Sequence, residues 1–428
     1  MTLKSHTFAR FIQHIHPVKV PLKALELKNT WALGGMCLVL VILLAGSGAL
    51  MLFSYQPSPE SAYISIEYLE NQFIFGRLIR SMHYFSANFL VIMVLAHMLR
   101  VFFTGGYQGE RRSNWFVGLF IFSLVLLSCF TGYLLPWDQT AFWAVTICMN
   151  MFDYVPVGSL FKGLFISDNG VNEKTLQFFF TLHTTIIPAL LIGFMVIHFW
   201  KVRKAKGVIT SGLTRKGEGE KMMMVAVQPH LLLREAVAAL VLTAFIMTLS
   251  LVFDAPLDEM ANSGLSPNPA KAPWYFSGFQ ELLLHFHPFF SVFLIPIFIC
   301  CILIGIPFMG DSQGGIWFIS GRAKTAAKTA ALISAILTPG LIFFDETVID
   351  FQKWFPNIPG ILSTGLIPFT LIICLIFFHH LGIKQKFKLN FAEAFQATAV
   401  FMITAFAILT LTCVWLRGAG MKLYFWGS

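Results

Sequence analysis

The chain has 428 residues, of which 57% are hydrophobic and 12% charged, with a net charge of +9. A soluble domain carries about 25% charged residues, so this composition excludes an ordinary soluble globular protein and points to an integral membrane protein. The 30 Lys and Arg residues are scattered over the polar segments without one dense patch, which excludes a nucleic-acid footprint.

In chain order, residues 1–30 form a polar segment with Lys4, Arg10, Lys19, Lys23 and Lys28, and read as cytoplasmic, without a cleavable secretory signal. Nine apolar stretches of bilayer-spanning length follow, near 31–53, 82–103, 115–135, 178–200, 235–253, 289–308, 326–344, 360–380 and 396–416. Eight of the 30 Lys and Arg residues fall in one alternate set of connecting segments and 22 in the other, which places the N-terminus inside and the C-terminus outside. The seven cysteines lie in or near apolar stretches without a Cys-x-x-Cys pattern, and read as small buried hydrophobes. His379–His380 reads as interfacial, GEGEK at 217–221 as a solvated loop, and Glu346 and Asp350 as an outer loop or helix edge.

The second span holds His83 and His97, 14 residues apart, and the fourth holds His183 and His198, 15 apart. Both intervals return to nearly one helix face, roughly 21–22 Å along the axis. Two such helices side by side bring His83 level with His183, and His97 level with His198. The expected architecture is an all-α membrane protein of about nine helices, with the first four bundled around two bis-imidazole sites, the ligation that two b-type hemes need. Ionisable groups in a bilayer are expensive and mark function. Gly34 and Gly48 in the first span, and Gly118 and Gly132 in the third, repeat the 14-residue interval. A residue without a side chain lets a flat macrocycle approach the backbone. Arg80 and Arg100 lie three residues from His83 and His97; each reads as a partner for a heme propionate or as a snorkelling interfacial arginine. The domain order expected is 1–30 as the cytoplasmic segment and 31–207 as the diheme core. Residues 208–310 then hold the fifth and sixth spans with an outer loop, and 311–428 three further helices.

The runs IRSMHYFSANFLVIMVLAHMLRVFFTGGY, GYLLPWDQTAFWAV and LHTTIIPALLIGFMVIHFW carry the four histidines and, with Gly34, Gly48 and Gly118, resemble cytochrome b of the quinol-oxidising bc and bf complexes. The 15-residue interval resembles the bf type. The fifth and sixth spans resemble the family's second part, here fused in one chain. The resemblance implies a quinol:cytochrome c-type oxidoreductase subunit. In such a subunit, quinol is oxidised near the outer heme, a Rieske iron–sulfur protein takes one electron and passes it to a c-type cytochrome, and the other electron crosses to an inner quinone site. A proton gradient results. It implies a homodimeric complex and, from the fused arrangement, a bacterial plasma membrane.

The outer quinol residues implied by the match are Tyr133, Pro136 and Trp137, with Pro273, Trp274 and Tyr275. Relatives carry Pro-Glu-Trp-Tyr at the second place; this chain reads Ala272-Pro273-Trp274-Tyr275, a change that resembles variants using low-potential menaquinol. Glu281, seven residues after Trp274, is then the nearest proton acceptor, or else a surface carboxylate at a helix end. His285 and His287 read as an interfacial pair. Arg203 is assigned to the inner quinone by analogy, and its neighbours Lys201, Lys204 and Lys206 to membrane anchoring. The bf-type relatives attach an extra heme at a cysteine near the place of Ala32; Cys37 lies five residues further, so no covalently attached extra heme is expected. Two rival readings stand beside this one: a non-bifurcating diheme anchor that links another oxidoreductase to the quinone pool, and a transporter that uses intramembrane histidines.

Overall fold

The computed structural model describes residues 18–26, 30–166, 170–205, 223–309 and 320–424. The GEGEK loop, Lys4, Arg10, Lys28 and Lys206 lie outside them. In chain order the elements are β1 (Lys19–Pro21), α1 (Leu33–Met51), α2 (Ala62–Gln72), α3 (Gly76–Phe103), α4 (Gly109–Tyr133), α5 (Gln139–Asn150) and α6 (Gly158–Phe165). Then come α7 (Glu173–Lys204), β2 (Met224–Ala226), α8 (His230–Val252), α9 (Trp274–His285), α10 (Phe289–Phe308), α11 (Gly321–Thr347), α12 (Ile361–Lys386) and α13 (Phe391–Leu416). Among the described residues, nine of these (α1, α3, α4, α7, α8 and α10 to α13) are long and apolar enough to cross a membrane. In hydrocarbon every backbone N–H and C=O must be satisfied within the segment, and the helix does this residue by residue.

Three helices carry a wide π turn directly before a proline: Leu182–Ile186 before Pro188, Phe289–Leu294 before Pro296, and Ile361–Leu366 before Pro368. Proline has no N–H to donate, and its ring crowds the carbonyl four residues back. One extra residue in that turn relieves the clash without breaking the helix.

The chain forms two compact units. Among the described residues, the first comprises 18–26, 30–138, 173–205 and 223–260. Here α1 lies along α3, α7 packs on α4, and α8 packs on α3 and α1. The packing thus takes the fifth span with the first four, whereas its position in the chain groups it with the sixth. At one end of α3, Arg80 is buried and bonds the Glu70 carboxylate of α2 and the carbonyls of Ala255 (3.0 Å) and Pro256 (2.6 Å). Two short strands, β1 and β2, pair antiparallel in the same unit.

Among the described residues, the second unit comprises 139–166, 170–172, 261–309 and 320–424. Its core is the seam between α11 and α13, where Ala323, Ala326 and Ala330 meet Ala394, Ala397 and Phe401, all buried. Small side chains let two membrane helices approach closely, since no hydrophobic gain is available between helices in lipid. Ser334 Oγ donates across the seam to the Phe401 carbonyl at 2.8 Å. Asn390 starts α13 as a capping box with Glu393, satisfying two N-terminal N–H groups at once.

Candidate functional site

The four histidines of the first unit stand in two pairs. The rings of His83 and His183 have centroids 6.1 Å apart, and those of His97 and His198 lie 6.4 Å apart. Two imidazoles axial to one metal, with bonds of about 2.0 Å and about 1.1 Å from nitrogen to ring centre, place their centroids about 6.2 Å apart. Among the described residues, no group of three or more His, Cys, Asp or Glu is placed to hold a metal ion. The pairs therefore suit a planar group that brings its own equatorial donors.

The level pairing depends on a detail absent from simple helix counting. Fifteen residues of regular α-helix overshoot fourteen by about 100° of rotation. His183 lies inside the π turn Leu182–Ile186, which absorbs the additional residue ahead of Pro188. The proline thus brings α7 into register with α3.

Hydrogen bonds fix one pair of rings. Ser47 donates its hydroxyl proton to the Leu43 carbonyl at 2.7 Å, so its oxygen accepts from His83 Nδ1 at 3.0 Å. His183 Nδ1 lies 3.0 Å from the Ser128 carbonyl, which can only accept. Both rings then carry the proton on Nδ1 and leave the Nε2 lone pair for a metal. A neutral imidazole with its Nδ1 proton held in this way can ligate a metal through Nε2.

Each glycine singled out by its interval faces one of these rings. A methyl at Gly34 would lie 3.6 Å from His97 Cε1, at Gly48 3.2 Å from His83 Cε1, at Gly118 3.5 Å from His198 Cε1, and at Gly132 2.8 Å from His183 Nδ1. The sequence suggests a flat macrocycle against these backbones. The structure places an imidazole against each of these backbones.

The arginines divide. Arg80 Nη1 and Nη2 bond the Glu70 carboxylate and the carbonyls of Ala255 and Pro256. It does not snorkel, at 7% exposure. Arg100 is buried as well, near the end of α3. Arg203 lies in the last turn of α7 with Lys201 and Lys204, and Lys201 donates to Ser113 Oγ at 2.9 Å.

The residues expected at a quinol site fall in both units. In the first, Tyr133 ends α4 and Pro136 precedes Trp137, which is buried with a left-handed φ of 53°. That conformation is strained for a side chain of this size. Tyr55, which sequence reasoning missed, donates to the Leu135 carbonyl at 2.8 Å and stacks on Phe180. In the second unit, Pro273 caps α9, which opens with Trp274 and Tyr275. Gln280 reaches back to the Ala270 carbonyl and the Ala272 N–H, both at 2.7 Å, and so fixes the segment ahead of Pro273.

Glu281 departs most from expectation. It is not a surface carboxylate: it is fully buried, and Arg417 binds it through Nη2 at 2.6 Å and Nε at 3.0 Å. His285 is not interfacial. Its Nε2 lies 3.3 Å from Glu281 and its Nδ1 2.6 Å from Asp345. Glu346 completes the cluster, 2.6 Å from Arg417 Nη1. Burial opposes ionisation of Glu281, yet the bonds from His285 and Arg417 overcome it and hold the carboxyl below its usual range. Burial likewise opposes a charged His285, but Asp345 and Glu281 outweigh it and raise the ring to about 9. No signal in the sequence links Arg417 to a residue so distant along the chain.

Comparison with known proteins assigns the family. Residues 19–206 match the family model described as Cytochrome b/b6/petB. Cytochrome b6 of Heliobacterium modesticaldum is 38% identical over 184 residues, 43% of this chain and 86% of the relative. Cytochrome b6 of Prochlorothrix hollandica is 39% identical over 175 residues, covering 41% and 79%. A solved structure titled Hyperthermophilic respiratory Complex III superposes with a TM-score of 0.69 over 96% of this chain and 97% of that one, at 20% identity, and so shares the fold. The chain belongs to the cytochrome b family of multi-pass, heme-binding electron-transport proteins of the membrane.

Proposed function

We propose that this chain is the diheme cytochrome b subunit of a bc-type complex, a quinol:cytochrome c-type oxidoreductase. The observation that carries the reading is the pair of histidine pairs, each spaced as two axial imidazoles on one iron. His83 and His183 hold one b-type heme, and His97 and His198 the second. When bound, the hemes accept and release single electrons at two depths of the membrane. Ser47 and the Ser128 carbonyl orient the first imidazole pair, and the four glycines give the rings room. Arg100 lies near the end of α3 that carries His97, and is assigned to a propionate there. Arg203 is assigned to the inner quinone.

Quinol binding is assigned to Tyr133, Pro136 and Trp137 in the first unit and to Pro273, Trp274 and Tyr275 in the second. Menaquinol is the proposed substrate, from Pro273 at the usual place of a carboxylate. A Rieske protein and a c-type cytochrome are the proposed partners, in a dimeric complex of a bacterial plasma membrane with the N-terminus inside. The domain order proposed is the diheme core (31–207), the quinol segment (208–310) and three further helices (311–428).

One observation favours the rival reading, a non-bifurcating diheme anchor: the carboxylate nearest Trp274 along α9 is locked in an ion pair with Arg417. Isolation of the native complex decides. The proposal expects a Rieske protein to copurify, and an outer-site inhibitor to block reduction of both the b hemes and the c-type acceptor. Copurification of a different oxidoreductase, with heme reduction insensitive to such an inhibitor, selects the anchor.

A further inference from the structure

The two imidazole pairs are not built alike, and the difference is written in two dipeptides. Around His83 and His183, the residue before each facing glycine carries a hydroxyl: Ser47 before Gly48, Thr131 before Gly132. Around His97 and His198 the same places hold Leu33 before Gly34 and Val117 before Gly118. Both hydroxyl protons go back to their own helix, from Ser47 to the Leu43 carbonyl at 2.7 Å and from Thr131 to the Leu127 carbonyl at 2.9 Å. Each oxygen is therefore left as an acceptor. Ser47 Oγ stands 3.0 Å from His83 Nδ1 and Thr131 Oγ1 3.5 Å from His183 Nδ1, beside the Ser128 carbonyl. Ser47 and Thr131 are 6% and 1% exposed, so water does not compete for these bonds. At the other pair, the Asn114 backbone is the neighbour of the His198 ring, and among the described residues no hydroxyl stands beside it.

We infer that Ser47 and Thr131 are positioning residues that hold the Nδ1 protons of His83 and His183 and make this pair the more strongly electron-donating set of axial ligands. The inference rests on the two-heme reading above. An acceptor on Nδ1–H raises the basicity of Nε2, as it does for metal-bound histidines generally. A more basic ligand favours ferric over ferrous iron and lowers the reduction potential; hydrogen bonding around the ligands is one of the protein's levers on that potential. Ser47 is the stronger case. Its oxygen lies 3.0 Å from His83 Nδ1, beside the Leu44 backbone, whereas at His183 the Ser128 carbonyl at 3.0 Å stands closer to Nδ1 than Thr131 at 3.5 Å.

The test is a potentiometric titration of the purified holoprotein, following the b-type absorption bands in wild type, Ser47→Ala, Ser47→Thr, Thr131→Val and Val117→Thr. Ser47→Ala is expected to raise one of two midpoints and leave the other in place. A tenfold change in the ferric-to-ferrous preference reads as about 59 mV for one electron. Thr131→Val moves the same component by less. Ser47→Thr, which keeps the oxygen, restores the wild-type value. Val117→Thr, which supplies the missing hydroxyl, lowers the other midpoint. Loss of one heme from Ser47→Ala but not from Ser47→Thr supports the same role. Unchanged midpoints in a two-heme Ser47→Ala protein, equal shifts of both components, or heme loss in Ser47→Thr as well overturn this inference alone. A colourless wild-type chain overturns it together with the two-heme reading.

Discussion

The buried histidines of the two units are handled in opposite ways. In the first unit, the imidazoles pair with each other, and the hydrogen bonds that His83 and His183 make at Nδ1 go to neutral oxygens. In the second unit, His285 has a carboxylate at each nitrogen. Neutral acceptors fix a tautomer and leave a lone pair free; paired carboxylates hold a proton on both nitrogens and close the ring to a metal. The same residue type is thus prepared as a proposed ligand in one place and favoured as a cation in the other, and the neighbours decide which.

The sharpest way to break this contrast is at the glycines. Gly132→Val sets a branched side chain against the His183 ring, where a methyl alone would already lie 2.8 Å from Nδ1. The expected outcome is loss of one of two hemes, read as a halved heme-to-protein ratio. Gly34→Ala, with ordinary contact at 3.6 Å, should keep both. Equal behaviour of the two variants would contradict the assignment of these glycines to the rings.

Next in size is the ionic cluster. Glu281→Gln removes the charge that faces Arg417 while both side chains stay buried. Breaking one partner of a buried pair costs about 3–5 kcal/mol. Thermal unfolding of the purified protein should drop accordingly, with the reduced heme spectrum unaltered. A spectral change at unchanged stability would tie Glu281 to the hemes instead.

A graded effect follows with pH. The raised His285 favours the folded state fully below its ordinary value of 6.5, and that contribution drains away as pH climbs toward about 9. Glu281 works in the other direction: its depressed value contributes stability above its ordinary 4.5, which is lost as acid protonates it. Asp345, Glu346 and Arg417 complete the set of charges around them. Stability should therefore decline between pH 6.5 and 9, and this slope should vanish in His285→Gln. A slope that persists in that variant would assign it elsewhere.

Much of the first unit is legible in the sequence. Membrane spans follow from composition, since only helices satisfy a backbone in lipid. The histidine and glycine intervals are helical arithmetic. What resists such reading is either local or distant. Pro188 widens one turn of α7 and turns a 15-residue interval into the equivalent of 14. Ser47 and Thr131 are ordinary small residues until their hydroxyl protons are traced to Leu43 and Leu127. Arg80 sits close to His83 in sequence, yet folding hands it Glu70. Arg417 reaches Glu281 across 136 residues, a pairing that no periodicity encodes.

The central claim is that the paired rings of α3 and α7 hold two b-type hemes. Heme quantification by reduced-minus-oxidised spectroscopy on the purified chain, beside His83→Leu and His97→Leu, tests it most directly. The account predicts two hemes per wild-type chain and one in each variant, with a different component missing from each. A single heme in the wild type, or full heme content in either variant, would contradict it.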